Sequence, residues 1–152
     1  MLTDKIGYDI IIICACSWAI AQILKVFIIL IQEKRLAWEF FINSGGMPSA
    51  HSATVTSLAT SIGLLVGLDT IAFAISVVLA VIVMYDAAGV RQSVGQHSAL
   101  LNRIVREIRF KSKFELEREL REFIGHTPSQ VVVGGLLGIC VSILWMLFIK
   151  SI

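Results

Sequence analysis

The chain contains three histidines, His51, His97 and His126, and two of them stand in matching surroundings. Gly45-Gly46-Met47-Pro48-Ser49-Ala50-His51-Ser52 is a small polar loop feeding into an apolar segment, and Gly125-His126-Thr127-Pro128-Ser129 repeats the pattern before the last hydrophobic run. Each sets a His and a Ser beside a Pro at a predicted helix start. Proline is favoured in the first helical turn, and the N–H groups and dipole of that turn attract anions. Two such starts, each with a histidine, predict a phosphate site. Phosphoryl transfer to water through a covalent enzyme needs a nucleophile, a general acid for the leaving alkoxide, and cationic or N–H donors for the phosphoryl oxygens. Imidazole can fill the first two roles, because it is neutral or protonated near pH 7. The plainer alternative for His51 and His126 is a surface or interfacial histidine at a helix end. His97, within Gly95-Gln96-His97-Ser98, reads as an ordinary residue of a charged loop.

The elements that must position these residues are apolar helices. Of 152 residues, 57% are hydrophobic and only 16% charged, with a mean hydropathy of +0.84. A soluble domain carries about a quarter charged residues, so the excess points to a bilayer. Spanning one takes about 20 apolar residues. Residues 10–31 qualify, interrupted by Gln22 and Lys25. Residues 53–66 and 70–85 read as two helices joined by a Gly67-Leu68-Asp69 turn, and 131–149 is the fourth. The expected fold is all-α: an integral membrane bundle of about four spans in a single domain over 1–152, with a cytoplasmic helical insert at about 91–124. In that insert Leu100, Leu101, Ile104, Val105 and Ile108 form one apolar stripe, and Leu116, Leu120 and Phe123 form another, supported by Glu117 and Arg121 at i,i+4. These amphipathic helices suit the membrane surface or the end of the bundle, and over 97–123 they could act as a lid.

Charge placement gives an orientation. Lys34 and Arg35 follow the first span, and Arg91, Arg103, Arg106, Arg109, Lys111, Lys113, Arg118 and Arg121 follow the third. With four spans these loops share one side, and the positive-inside rule places that side, with both histidine elements, in the cytoplasm. The net charge of +2, with no basic face free of apolar runs, excludes a nucleic-acid binder. Met1 to Tyr8 and the long apolar run after it do not suit a cleavable signal. Cys14, Cys16 and Cys140 lie in apolar runs and read as buried and inert. No Asp/Glu/His cluster has ligand spacing, so no metal or other cofactor is expected. Thr54, Thr56, Ser57, Thr60 and Ser61 make the second helix hydroxyl-rich, hence interior, with hydrogen bonds to backbone or neighbouring helices. Gly63-x3-Gly67 and Gly134-x3-Gly138 are spaced for close helix packing.

Pro48-Ser49-Ala50-His51 resembles the P-S-G-H signature of the type-2 phosphatidic acid phosphatase superfamily, which includes vanadium haloperoxidases and lipid phosphatases. His126-Thr127-Pro128-Ser129-Gln130, with Gly134-Gly135-Leu136-Leu137-Gly138, resembles its last motif, H-x3-D followed by a small-residue helix. The whole layout, including Ser44 to Ser49, Tyr85-Asp86-Ala87-Ala88-Gly89-Val90-Arg91 and Gly125 to Pro128, is similar to the divergent bacterial and plant branch of that superfamily, from about Ala21 to Gly138. The resemblance implies that His126 is the nucleophile, forming a phosphohistidine, and that His51 is the general acid. It implies that Ser49 and the backbone N–H groups from Gly46 to Ala50 bind phosphoryl oxygens.

Several positions depart from the pattern. The first motif, K-x6-R-P, is absent; only Lys25, Lys34 and Arg35 precede the loop. Leu120 stands where the third motif places an arginine, and Arg91 is the expected replacement. An R-x5-H spacing does join Arg91 to His97, but Leu101 occupies the Asp position there. Gln130 replaces the aspartate that would orient the nucleophile. It can accept a hydrogen bond from the ring but cannot stabilise imidazolium by charge, and Asp86 is the candidate for that role. Pairing of Asp86 with Arg91 is the alternative. An intramembrane lysine is a functional candidate by default, so Lys25 is a candidate phosphate ligand, unless it snorkels to the cytoplasmic face.

The resulting expectation is a multi-pass protein of the bacterial plasma membrane, an acid-phosphatase-like phosphoric ester hydrolase. Its substrate would be a lipid or prenyl phosphate or pyrophosphate, and the chain could form a homo-oligomer. The alternatives are a catalytically inactive membrane scaffold or lipid-binding protein retaining the fold, and, with less support, a transporter or channel subunit.

Overall fold

The structure is a computed structural model that describes residues 2–33, 46–89, 97, 100–104, 107 and 126–150. Four long helices make up most of it: α1 (Leu2–Glu33), α2 (Ala50–Leu65), α3 (Ile71–Ala88) and α4 (Pro128–Lys150). The described residues between 97 and 107 are also helical. Each long helix covers its expected span with small changes at the ends, except that α1 begins eight residues earlier.

The count of spans needs correction. Among the described residues three helices are long and apolar enough to cross a membrane: Lys5–Ile31, Ile71–Ala88 and Pro128–Phe148. The second helix, α2, has 16 residues and is about 24 Å long, short of a hydrocarbon core of about 30 Å. It need not be lipid-compatible, because it packs against all three other helices. Its buried residues are small: Ala50, Ser52, Ala53, Thr56, Ser57, Ala59 and Ser61.

Lipid is as apolar as leucine, so helices in a bilayer associate through close backbone approach and polar contacts. Both are present on α2. The hydroxyl of Thr56 shares its proton between Ser52 O (2.8 Å) and Gly135 O (2.9 Å) across to α4. Ser61 Oγ donates to Ser142 Oγ at 3.2 Å, and Ser142 Oγ reaches Ser57 O at 3.1 Å. The hydroxyl-rich face is thus interior, as its composition implied. Close approach comes from α4: a Cβ added at Gly134 would collide with Ser49 O, and one at Gly138 with Ala53 O and Thr56 Oγ1. The other glycine pair does different work. Gly63 lies against Leu68 and Phe73, and Gly67 turns the chain at φ 125°. Thr70 closes that turn, donating to Gly67 O at 2.9 Å and accepting from Phe73 N–H at 3.2 Å as the α3 N-cap.

The α1 helix presents Ile13, Ser17, Ala21, Gln22 and Lys25 inward and Tyr8, Ile11, Ile23 and Phe27 outward. In α3 only Ser76, Ala80 and Ala87 are buried, and Ile71, Ile75, Val78 and Ile82 form an outer apolar face suited to lipid. In the segment after α3, Leu100, Leu101 and Ile104 are exposed while Asn102 is buried. That part of the apolar stripe therefore faces away from the protein, as a surface-lying helix would. Arg103 pairs with Glu107 at 3.6 Å on its exposed side. Val105, Ile108, the 116–123 stripe and the expected lid lie outside the described residues.

Candidate functional site at two helix starts

The start of α2 is capped by Ser49, whose backbone is extended (φ −71°, ψ 115°). Pro48 therefore precedes the cap instead of occupying the first helical turn, as its position beside Ser49 had suggested. Ser49 is fully buried. Its Oγ accepts from Ser52 N–H at 3.3 Å and from the Ser52 hydroxyl at 3.1 Å. A serine hydroxyl has two acceptor lone pairs and one proton; both lone pairs are occupied here, which leaves the proton as what Ser49 can offer an anion. The first-turn N–H groups of Ala50 and His51 have no acceptor within the helix by their position. Gly46, at φ 95°, bends the loop ahead of the cap in a conformation that suits glycine.

The start of α4 has Pro128 as its first helical residue, as expected. At Thr127-Pro128-Ser129-Gln130 the Gln130 side chain makes the return half of a capping box, its Oε1 accepting from Thr127 N–H at 3.1 Å. The same oxygen lies 3.2 Å from His126 Nδ1. Thr127 Oγ1 and Ser129 Oγ are 2.9 Å apart.

The two starts are tied together. Ser49 N–H donates to Gln130 O at 3.1 Å, and Gly134 seats the Ser49 backbone one helical turn further along α4. His126 N–H donates to Ala87 O at 3.2 Å, which brings in the end of α3. Lys25, only 1% exposed, comes from α1 and runs its side chain beneath the loop. Its Cγ and Cδ lie 3.1 and 3.2 Å from where a Cβ on Gly46 would stand. The rings of His51 and His126 lie 6.3 Å apart, centroid to centroid, with planes inclined by 62°. His126 is buried and His51 exposed.

Most of the expected site residues therefore converge. His51, Ser49, Ala50 and Gly46 belong to one helix start, His126 to the other, and Lys25 lies beneath the first. Asp86 is half-buried in the last turn of α3, beside the Ala87 carbonyl that receives His126 N–H. Arg91 lies outside the described residues, as do Lys34, Arg35 and Gly125. His97 is exposed on the helix after α3. The Ser52 double donation to the cap was missed in the sequence, although an S-x-x-S run at a helix start could have signalled it. The return bond of Gln130 was missed as well, although T-x-x-Q at a helix start could have signalled it.

A buried imidazole, an exposed imidazole with its ring centre 6.3 Å away, a lysine and two helix N-termini gather proton-transfer and anion-binding groups at one end of the bundle. A family model described as the divergent PAP2 family matches residues 6–141. The chain is 39% identical over 138 residues to the uncharacterized membrane protein YuiD of Bacillus subtilis (strain 168), covering 84% of this chain and 87% of that protein. No solved structure matches. With almost the whole bundle inside the matched range, this membrane protein belongs to the divergent PAP2 family.

Proposed function

We propose that the protein is a membrane phosphatase that hydrolyses a phosphomonoester or pyrophosphate borne on a lipid or prenyl carrier. The observation that carries the reading is the 6.3 Å approach of His51 and His126 across two helix N-termini. In-line displacement sets the nucleophile and the leaving oxygen on opposite sides of phosphorus, so the two rings must be separated by about one phosphoryl group.

His126 attacks phosphorus and becomes a phosphohistidine, while His51 gives its proton to the departing oxygen. Water then displaces the phosphoryl group, with neutral His51 taking a proton from it. Lys25, the Ser49 hydroxyl and the N–H groups of Ala50 and His51 stabilise the phosphoryl oxygens, as preorganised donors do where charge develops. Arg91 adds a second cation in this reading, and Asp86 stabilises charge on His126. Membrane embedding favours a lipid-borne substrate, whose headgroup would sit at the level of the site. In this reading the site faces the cytoplasm, which the basic residues that follow α1 and α3 in the sequence support.

The test is hydrolysis of a panel of lipid phosphates and prenyl pyrophosphates by the purified protein, with His126→Ala as control. Turnover that disappears in the variant supports the reading. Unchanged activity in His126→Ala removes the nucleophile assignment. Absence of turnover on every substrate favours a scaffold that keeps the fold without the reaction, a role consistent with an amide at Gln130 in place of a carboxylate.

A further inference from the structure

The shelter that α2 receives from its three neighbours has one gap. Ser57 meets Cys14 of α1, and Ala50 and Ala53 pack with Ala21 of the same helix. Thr56 and Ser61 bond to α4, and Gly63 lies against Phe73 of α3. With about 3.6 residues per turn, these contacts run round α2 from α1 through α4 to α3 and leave one side over. Among the described residues α1 and α3 do not touch each other, so neither closes that side. It carries His51, Thr54, Val55, Leu58, Ile62 and Leu65, a continuous stripe at helical spacing. His51 is exposed, and the five positions below it are half-buried. On the outer face of α3, by contrast, Ile75, Val78 and Ile82 are all exposed. The stripe is thus a recess between two flanking helices and not a ridge standing in lipid. Below Thr54 it is wholly aliphatic, and Thr54 spends its hydroxyl proton on Ala50 O at 2.8 Å.

We infer that this recess holds the hydrocarbon chain of the substrate, laid along α2 with its phosphate end at His51. The placement rests on the phosphatase reading, in which His51 gives its proton to the leaving oxygen. That oxygen carries the lipid chain. The chain therefore leaves phosphorus on the His51 side, away from His126, and the recess begins there. From His51 to Leu65 it runs about 21 Å, most of the depth of a hydrocarbon core of about 30 Å. Ligand sites are lined mainly by apolar side chains, with a few polar groups that fix orientation. Here the polar groups gather at the His51 end. The gap between α1 and α3 opens sideways to lipid, so the chain reaches the recess without leaving the bilayer.

The first test uses purified full-length protein in detergent micelles and a single-chain alkyl phosphate carrying a diazirine at mid-chain. Illumination should label α2 between Val55 and Leu65, as read by peptide mapping, and an unreactive prenyl or acyl phosphate should compete. Label spread over the outer face of α3, or label that the competitor leaves unchanged, overturns the inference. So does absence of label from α2, the outcome if a second copy of the chain fills the recess. Turnover supplies a second arm. Leu58→Trp should fill the recess and lower kcat/KM on a long-chain phosphate by about tenfold or more, the scale of discrimination by fit in an apolar site. Its rate on a short, water-soluble phosphomonoester should stay at wild type, and Val78→Trp on α3 should alter neither. Equal losses on both substrates in a folded Leu58→Trp protein contradict the assignment; if that variant fails to fold, wild-type labelling decides. Prenyl and acyl monophosphates of matched length then name the chain, since either preference supports the recess and rates independent of chain length contradict it. Competed label in a protein without turnover upholds the lipid site and removes only the enzymatic reading. Turnover with no label on α2 does the reverse.

Discussion

The starts of α2 and α4 are built from similar residues and do opposite things with their histidines. At α4 the histidine precedes the cap, is buried, and is held by its ring through Gln130 and by its backbone through Ala87. At α2 the histidine follows the cap, in the first turn, and is exposed, while the cap serine is the buried residue. The order of residues around the cap makes the difference. His126 precedes its cap and packs into the bundle end, whereas His51 lies on the outer side of the first turn of α2. A fixed nucleophile and an exposed proton donor are what the proposed chemistry asks of these two places.

That division of labour predicts graded effects. His126→Ala should be the most severe, lowering kcat by about 10⁴-fold or more, as loss of a nucleophile does elsewhere; single-turnover kinetics on a reactive substrate measure it. His51→Ala should cost about 10²–10⁴-fold on an alkyl phosphate, the usual worth of a general acid. The loss should shrink toward wild-type rates on an aryl phosphate whose leaving group needs no proton. An equal loss on both substrates would mean that the two histidines do not differ as described. Lys25→Met should reduce kcat/KM by roughly 10²–10³-fold, the scale for one lost donor to the transition state, with the fold retained by circular dichroism.

The smallest effects test how the start of α2 is seated on α4. Gly134→Ala forces a methyl group into the Ser49 backbone and should destabilise the bundle by about 1–3 kcal/mol, read as a lower Tm in detergent. At Gly135 an added Cβ meets Thr56 Cγ2 at 3.5 Å and Met84 Sδ at 3.7 Å, both ordinary contacts. Gly135→Ala should therefore leave Tm unchanged or slightly raised, since alanine is the better helix former by about 1 kcal/mol. Equal effects at the two glycines would contradict the close seat of Ser49 on α4.

Much of this was visible in the sequence, for physical reasons. Apolar length marks α1, α3 and α4, because lipid demands it, and the hydroxyl run in α2 marks an interior helix. The same run hid the true character of α2. A hydropathy pattern cannot tell a short helix sheltered by protein from a short span facing lipid, and only packing decides that. Gly134-x3-Gly138 announced close packing correctly, whereas Gly63-x3-Gly67 carried the same spacing but serves a turn, since Gly67 lies beyond the helix end at positive φ. Lys25 illustrates long-range placement. Its cost in an apolar helix suggested function, but nothing local could show that it passes beneath Gly46. That His51 and His126 share one end of the bundle was expected from the sequence, but their 6.3 Å ring separation depends on the packing of α2 against α4, which no motif encodes.

The central claim is that His126 carries the phosphoryl group. Rapid acid-free quenching of the enzyme with a phosphorus-32-labelled lipid phosphate, followed by peptide mapping, tests it most directly. The account predicts a base-stable, acid-labile label on the peptide containing His126, absent in His126→Ala and retained longer in His51→Ala. Label on any other residue, or turnover with no labelled enzyme in wild type or His51→Ala, would contradict it.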